Sequence, residues 1–218
     1  LAYESALTTT ALRSLDLERH WVGAAGAGVI ADALRGEATQ LSTLRLSAAH
    51  IGDGGAAAIS GALKVNGTVT ALNLSSNGIG PAGGAAIADM LRANSTLVEL
   101  NLRWNQLGDG GAVSLAGALG ENSRLTSLRL SWNKMSDGGA GALGAALSRT
   151  NRTLTALDIS RKDVSPAAAA ALAKAVEANA ALSAGLELYG SRHRDEFVVV
   201  SGAASPASSA PAPAAALQ

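Results

Sequence analysis

The sequence predicts an α/β solenoid, with a parallel sheet lining the inner face of a curved stack and helices outside it. Three observations carry this. A Leu-x-Leu pair recurs at Leu15/Leu17, Leu44/Leu46, Leu72/Leu74, Leu100/Leu102, Leu128/Leu130, Leu157/Ile159 and Leu186/Leu188, always 28 or 29 residues after the last. An apolar pair spaced four apart follows in each of the first six units. A glycine-rich or proline-containing turn separates the two patterns. One such unit cannot bury its apolar side alone, but stacked units share a continuous core.

The elements follow in order within each unit. Alternation in Leu-x-Leu is the period of a strand, which turns both leucines inward and the intervening residues outward. An apolar residue stands three positions before the pair, at Leu12, Leu41, Val69, Leu97, Leu125 and Leu154. Another stands seven positions after its first leucine, at Val22, Ile51, Ile79, Leu107, Met135 and Val164. Asn77, Asn105 and Asn133, two residues earlier in the central units, are expected to satisfy backbone groups of neighbouring units, since buried polar atoms need partners. The helix is marked by Ile30/Leu34, Ile59/Leu63, Ile87/Leu91, Leu115/Leu119, Leu143/Leu147 and Leu172/Val176. With 48% hydrophobic residues, only 3% aromatic and 25 glycines, the core must be closely packed from Leu, Ile, Val and Ala.

The turn is the place to look for chemistry. Its eighth-register residues are Gly23, Gly52, Gly80, Gly108, Ser136 and Ser165, and its ninth are Ala24, Asp53, Pro81, Asp109, Asp137 and Pro166. Proline in place of aspartate points to the first position of a helix, where no amide hydrogen is needed and an acid complements the helix dipole. The preceding glycine or serine then reads as the N-cap. The stretch Gly26–Ala31, GAGVIA, fits a dinucleotide fingerprint, but it lies in register with five turns that do not, and no Rossmann unit surrounds it. Calcium is disfavoured because each turn supplies at most one carboxylate, whereas calcium takes about six or more oxygens.

The L-x-x-L-x-L pattern with its asparagines, the unit length and the run GDGGAVSLAGAL at Gly108–Leu119 resemble the leucine-rich repeat. The subtype is similar to that of ribonuclease inhibitor, NOD-like receptors, tropomodulin-type actin cappers and ciliary repeat proteins. The resemblance runs from about Leu12 to Tyr189. It implies a horseshoe arc of about six repeats and a non-catalytic protein-binding scaffold, a segment of a larger intracellular, cytoplasmic assembly of cytoskeletal or ciliary type. Two alternatives share the architecture: a GTPase regulator like the Ran GTPase-activating protein, and the sensing segment of a NOD-like receptor.

Composition narrows the function classes. Seventeen basic and seventeen acidic residues cancel, so no global field draws in nucleic acid or an anionic membrane. No run approaches the roughly 18 apolar residues of a membrane span. The absence of cysteine rules out disulfides and thiolate metal sites, and makes an intracellular location the expectation. His20, His50 and His193 show no metal-ligand spacing, and no G-x-S-x-G elbow is present. No catalytic group, cofactor, metal or small-molecule substrate is therefore expected. Asn66, Asn94 and Asn151 open glycosylation sequons, but with Asn122 and Asn179 they mark one repeat position in the return loop, which favours a structural role.

A protein partner is expected on the concave face and its rim. By register the exposed strand residues include Arg45, Asn73, Asn101, Arg103 and Arg129 in the middle, with acids such as Asp16 and Asp158 toward the ends. That asymmetry suits an acidic segment of a partner; the alternative is a polar face that merely keeps the sheet solvated. Trp104 and Trp132 share a register in adjacent units and should stand about 5 Å apart, either as an interface anchor or as a self-stacked cover for the core. The candidate site is thus Arg45, Asn73, Asn101, Arg103, Trp104, Arg129, Trp132 and Asp158. Residues 1–11 read as the end of a preceding repeat or an N-terminal cap, 12–200 as the repeat domain with a C-terminal capping strand, and 201–218 as an Ala/Ser/Pro-rich tail. The start at Leu1 suggests a processed chain or a piece of a longer one.

Overall fold

The computed structural model describes residues 12–36, 40–160, 164–179, 186–189 and 199–200; residues 1–11 and 201–218 lie outside them. Strands β1 (Ser14–Asp16), β2 (Thr43–Arg45), β3 (Ala71–Asn73), β4 (Glu99–Asn101), β5 (Ser127–Arg129), β6 (Ala156–Ser160), β7 (Leu186–Tyr189) and β8 (Val199–Val200) form one sheet in sequence order. Helices α1 (Gly23–Leu34), α2 (Gly52–Leu63), α3 (Pro81–Ala93), α4 (Gly108–Glu121), α5 (Asp137–Arg149) and α6 (Pro166–Glu177) alternate with β1 to β7. The first seven strands pair in parallel with the leucines in register, Leu15, Leu44, Leu72, Leu100, Leu128, Leu157 and Leu186, and β8 closes the sheet antiparallel to β7. Strands stack about 4.8 Å apart whereas packed helices sit about 8–10 Å apart, so the sheet takes the inside of the curve.

The core lies between the two layers. All six helical apolar pairs expected from the sequence are buried, as are the inward leucines from Leu41 to Ile159. Helices pack against their sequence neighbours, which is the contact pattern of a one-dimensional stack.

Two asparagine ladders satisfy the backbone between units. In the ascending loops, Asn105 Oδ1 accepts from the N–H groups of Asn77 and Ile79, both at 3.0 Å, while its Nδ2 donates to the carbonyls of Leu74 and Leu102. Asn77 and Asn133 repeat the arrangement one unit on either side. In the return loops, the Nδ2 groups of Asn66, Asn94, Asn122, Asn151 and Asn179 donate to the carbonyls of Leu34, Leu63, Leu91, Leu119 and Leu147 at the ends of successive helices. All five are buried. The three sequon asparagines therefore hold a structural repeat position, and the nitrogen a glycan would use is already bonded.

The turns depart from expectation in one respect. Asp53, Asp109 and Asp137 stand in the first turn of their own helices, as the sequence predicts, and the carboxylate of each also caps the helix of the following unit, which was not expected. Asp53 Oδ1 accepts from the N–H groups of Gly80 (2.6 Å) and Gly83 (3.0 Å). Asp109 Oδ1 accepts from Ser136 (2.8 Å) and Gly139 (2.9 Å), and its other oxygen accepts from the Ser136 hydroxyl. Asp137 accepts from Ser165 N–H at 2.7 Å. The hydroxyl and amide of Ser136 hold the Asp109 carboxyl below the usual range against a smaller opposing effect of burial. The same groups of Ser165 lower that of Asp137.

This decides the backbone at the eighth register. Where the preceding unit supplies an aspartate, Gly80, Ser136 and Ser165 are extended and act as N-caps. The preceding units of Gly52 and Gly108 carry Ala24 and Pro81. Those glycines take φ of +56° and donate instead to the carbonyls of Asn77 and Asn133 in the following unit. Gly23 behaves the same way, at φ +63° with a bond to Ala49. In these three units the N-cap falls one residue earlier than expected, at Val22, Ile51 and Leu107.

Candidate partner-binding face and rim

On the sheet face turned away from the helices, register brings Asp16, Arg45, Asn73, Asn101, Arg129 and Asp158 into one row across β1 to β6. A shallow depression of about 200 Å³ lies along its middle, lined by Arg45, Asn73, Glu99, Asn101, Ser127 and Arg129 among others. Arg45 approaches Asp16 at 3.7 Å with both side chains about half exposed, a pair weak in water. Asn73 donates to Glu18 Oε1 at 2.7 Å and accepts from Ser75. Asn101 Oδ1 accepts from the Arg103 N–H at 3.1 Å. Arg129 is exposed and makes no ion pair among the described residues.

Arg103 and Asp158 are placed differently from the rest. The Arg103 guanidinium reaches across two strands to the Asp158 carboxylate, which also accepts from the Ser131 hydroxyl. The Asp158 side chain is only 5% exposed. Its strand position marks it as outward-facing, yet the longer side chain from two units earlier covers it. Asp158 and the charge of Arg103 thus form an internal tie between β4 and β6, and Arg129 carries the exposed charge at this end of the row.

At the edge where strands lead into helices, Trp104 and Trp132 stack with centroids 4.4 Å apart and planes within 5°. They remain 55% and 40% exposed. Both have positive φ, 58° and 63°, as do their register mates Arg19, Ala48 and Ser76, so the left-handed turn belongs to the repeat and the indoles are an addition to it. A second stack, Trp21 on His50 at 4.4 Å, lies on the same edge and was not among the sequence candidates. Its signal was available: the two residues share a register in adjacent units, just as the tryptophan pair does. Elsewhere, no group of three His, Asp or Glu among the described residues lies close enough together to hold a metal ion. No helix among them is long and apolar enough to cross a membrane. GAGVIA falls within α1, packed in the helix layer.

Comparison with known proteins adds the family. A leucine-rich-repeat model matches residues 38–60, 65–88, 93–116 and 121–144, each match running through a strand and a turn into the following helix. Over these residues the chain is built of leucine-rich repeats. No curated protein sequence matches it. Among solved structures, this leucine-rich-repeat chain is similar to leiomodin-1 actin-binding site 2, with a TM-score of 0.61 and 21% identity over 68% of this chain and 86% of that one. It is also similar to the tropomodulin C-terminal domain of Caenorhabditis elegans, with a TM-score of 0.53 and 13% identity over 82% and 91%. At these identities the likeness is one of fold: the leucine-rich-repeat solenoid is shared.

Proposed function

We propose that the chain is a non-catalytic protein-interaction scaffold, a segment of a larger intracellular assembly of cytoskeletal type, which binds a protein partner through its concave face and the adjoining rim. The observation that carries this reading is the exposed Trp104/Trp132 stack beside the polar row ending in Arg129. In a chain with 3% aromatic residues, two stacked indoles that stay 55% and 40% exposed have the composition of an interface anchor. Arg45, Asn73, Asn101 and Arg129 supply the polar surround, and the ordered repeat presents them without a folding cost at binding. The Arg103–Asp158 pair acts beneath this surface and holds its shape.

The leiomodin domain is described as actin-binding, which makes actin the first partner to test. Titration of labelled monomeric actin with the purified chain is expected to give saturable binding that weakens at least tenfold in Trp104→Ala/Trp132→Ala. Loss of two interface tryptophans costs about 2 kcal/mol or more where they act as hot spots. Saturable binding unaffected by the double substitution removes the rim from the reading, and no binding removes actin.

A further inference from the structure

We propose that the loop of the third unit, Ser76 to Gly78, forms a slot that receives one aromatic side chain of a protein partner, stacked on the open face of Trp104. The inference rests on the rim reading above and names what the rim recognises.

The stack of Trp104 and Trp132 follows the repeat: near-parallel rings, one per unit, 4.4 Å apart. Continued one unit toward the N-terminus, it reaches Ser76, the register mate of Trp104, with the same left-handed backbone at φ 58°. A serine there leaves the ring position unfilled, and Ser76 is exposed. Two residues on, Gly78 at φ +68° is also exposed, and a Cβ built on it would meet no atom within 4 Å. Across this notch, in the second unit, stands His50 with Trp21 stacked behind it. The third unit thus ends two ring rows of different register: that of His50 at Gly78, and that of Trp104 at Ser76. One strand spacing, about 4.8 Å, accommodates one flat group at stacking distance.

The lining selects among flat groups. Ser76, Gly78 and the exposed Gln106 carry no charge, and the Arg103 guanidinium is held by Asp158 on the sheet face. The Glu18 carboxylate that reaches this unit is bonded to Asn73 on the sheet face, so a neutral ring matches Ser76, Gly78 and Gln106 better than a cation. Aromatic rings stacked with an offset at such a distance gain beyond the area they cover.

The test uses the whole chain and the three indole N–H resonances, which report Trp21, Trp104 and Trp132 separately. N-acetyltryptophanamide, N-acetylleucinamide and N-acetylargininamide are titrated in parallel. The expected result is a saturable ring-current shift at Trp104, with half-saturation for the tryptophan amide about two- to tenfold below that for the leucine amide. Ser76→Trp, which fills the slot in a backbone conformation the same register already gives to tryptophan, should abolish it. Trp104→Ala, which removes the wall, provides a second route to the same loss, read as no saturable shift at either remaining indole, Trp21 or Trp132. Equal response to the leucine amide, tightest response to the arginine amide, no saturable shift at Trp104, or retention in Ser76→Trp overturns the slot. If the slot fails while partner binding still needs Trp104 and Trp132, the rim reading stands alone. Partner binding indifferent to both tryptophans overturns the two together.

Discussion

The glycines of the turn look alike in the sequence and act by three different mechanisms. Gly52 and Gly108 need φ of +56°, a conformation that costs an L-residue about 1–2 kcal/mol. Since a Cβ at either meets no neighbour within 4 Å, Gly52→Ala should lose about that much and no more. Gly83 and Gly139 are instead required by space: a Cβ would approach the capping oxygens of Asp53 and Asp109 to 2.6 and 2.8 Å. Gly80 is extended at φ −94°, and a Cβ there would stand 3.2 Å from Asp53 Oδ2, close enough to need a small shift of that carboxylate but no change of backbone. Gly80→Ser should therefore be tolerated or stabilising by up to about 1 kcal/mol, because Ser136, at the equivalent place, gives its hydroxyl to the preceding aspartate. Chemical denaturation of the two variants against the parent checks the pair, and equal losses would refute the distinction. The aspartates make a separate prediction. Asp109 titrates below its unfolded value when folded, so its contribution is complete above the ordinary carboxyl pKa of about 3.9 and disappears as the pH falls through the lower folded value. The melting-temperature gap between parent and Asp109→Asn should be present at pH 7 and shrink below about pH 4.

Strands of three residues and helices of three turns are not stable alone, and the hydrogen bonds between units show how they are held. Each ascending-loop asparagine joins a strand end to the loop before it, and each return-loop asparagine closes the carboxyl end of the helix one unit before its own. Asn105→Ala would leave buried N–H groups of Asn77 and Ile79 and the Leu74 carbonyl without their partner. A loss of about 2–4 kcal/mol is expected in urea unfolding; a loss under 1 kcal/mol would show that the ladder is dispensable. These elements were readable in the sequence because a strand's period of two and a helix's spacing of four repeat within one unit. What joins units was less readable. The hydrogen-bond partners of Asp53 lie 27 to 30 residues away, and nothing within a single unit shows that a carboxylate in the first turn of its own helix also caps the next one. Asp158 has the same origin: period two makes it outward-facing, and only the stacking of β4, β5 and β6 brings Arg103 and Ser131 over it.

The molecule as a whole is a stack in which every unit resembles its neighbours, so the departures from the repeat carry the information about partners. The polar row on the inner face and the paired rings on the rim are such departures, since the turn needs neither indole. Both tryptophans were visible in the sequence at one register. That they would be exposed as well as stacked depended on the left-handed turn that carries them, which no residue-type preference for tryptophan announces. What the chain shares with the leiomodin and tropomodulin domains is the solenoid fold, so the proposed binding role rests on the surface of this chain. Quantitative affinity capture, with the intact chain and with Trp104→Ala/Trp132→Ala immobilised side by side, tests that claim most directly. Partners retained by the parent should be depleted at least tenfold on the double variant, with folding of both confirmed by matching circular-dichroism melts. The same partners in the same amounts on both surfaces would contradict a binding role for the rim.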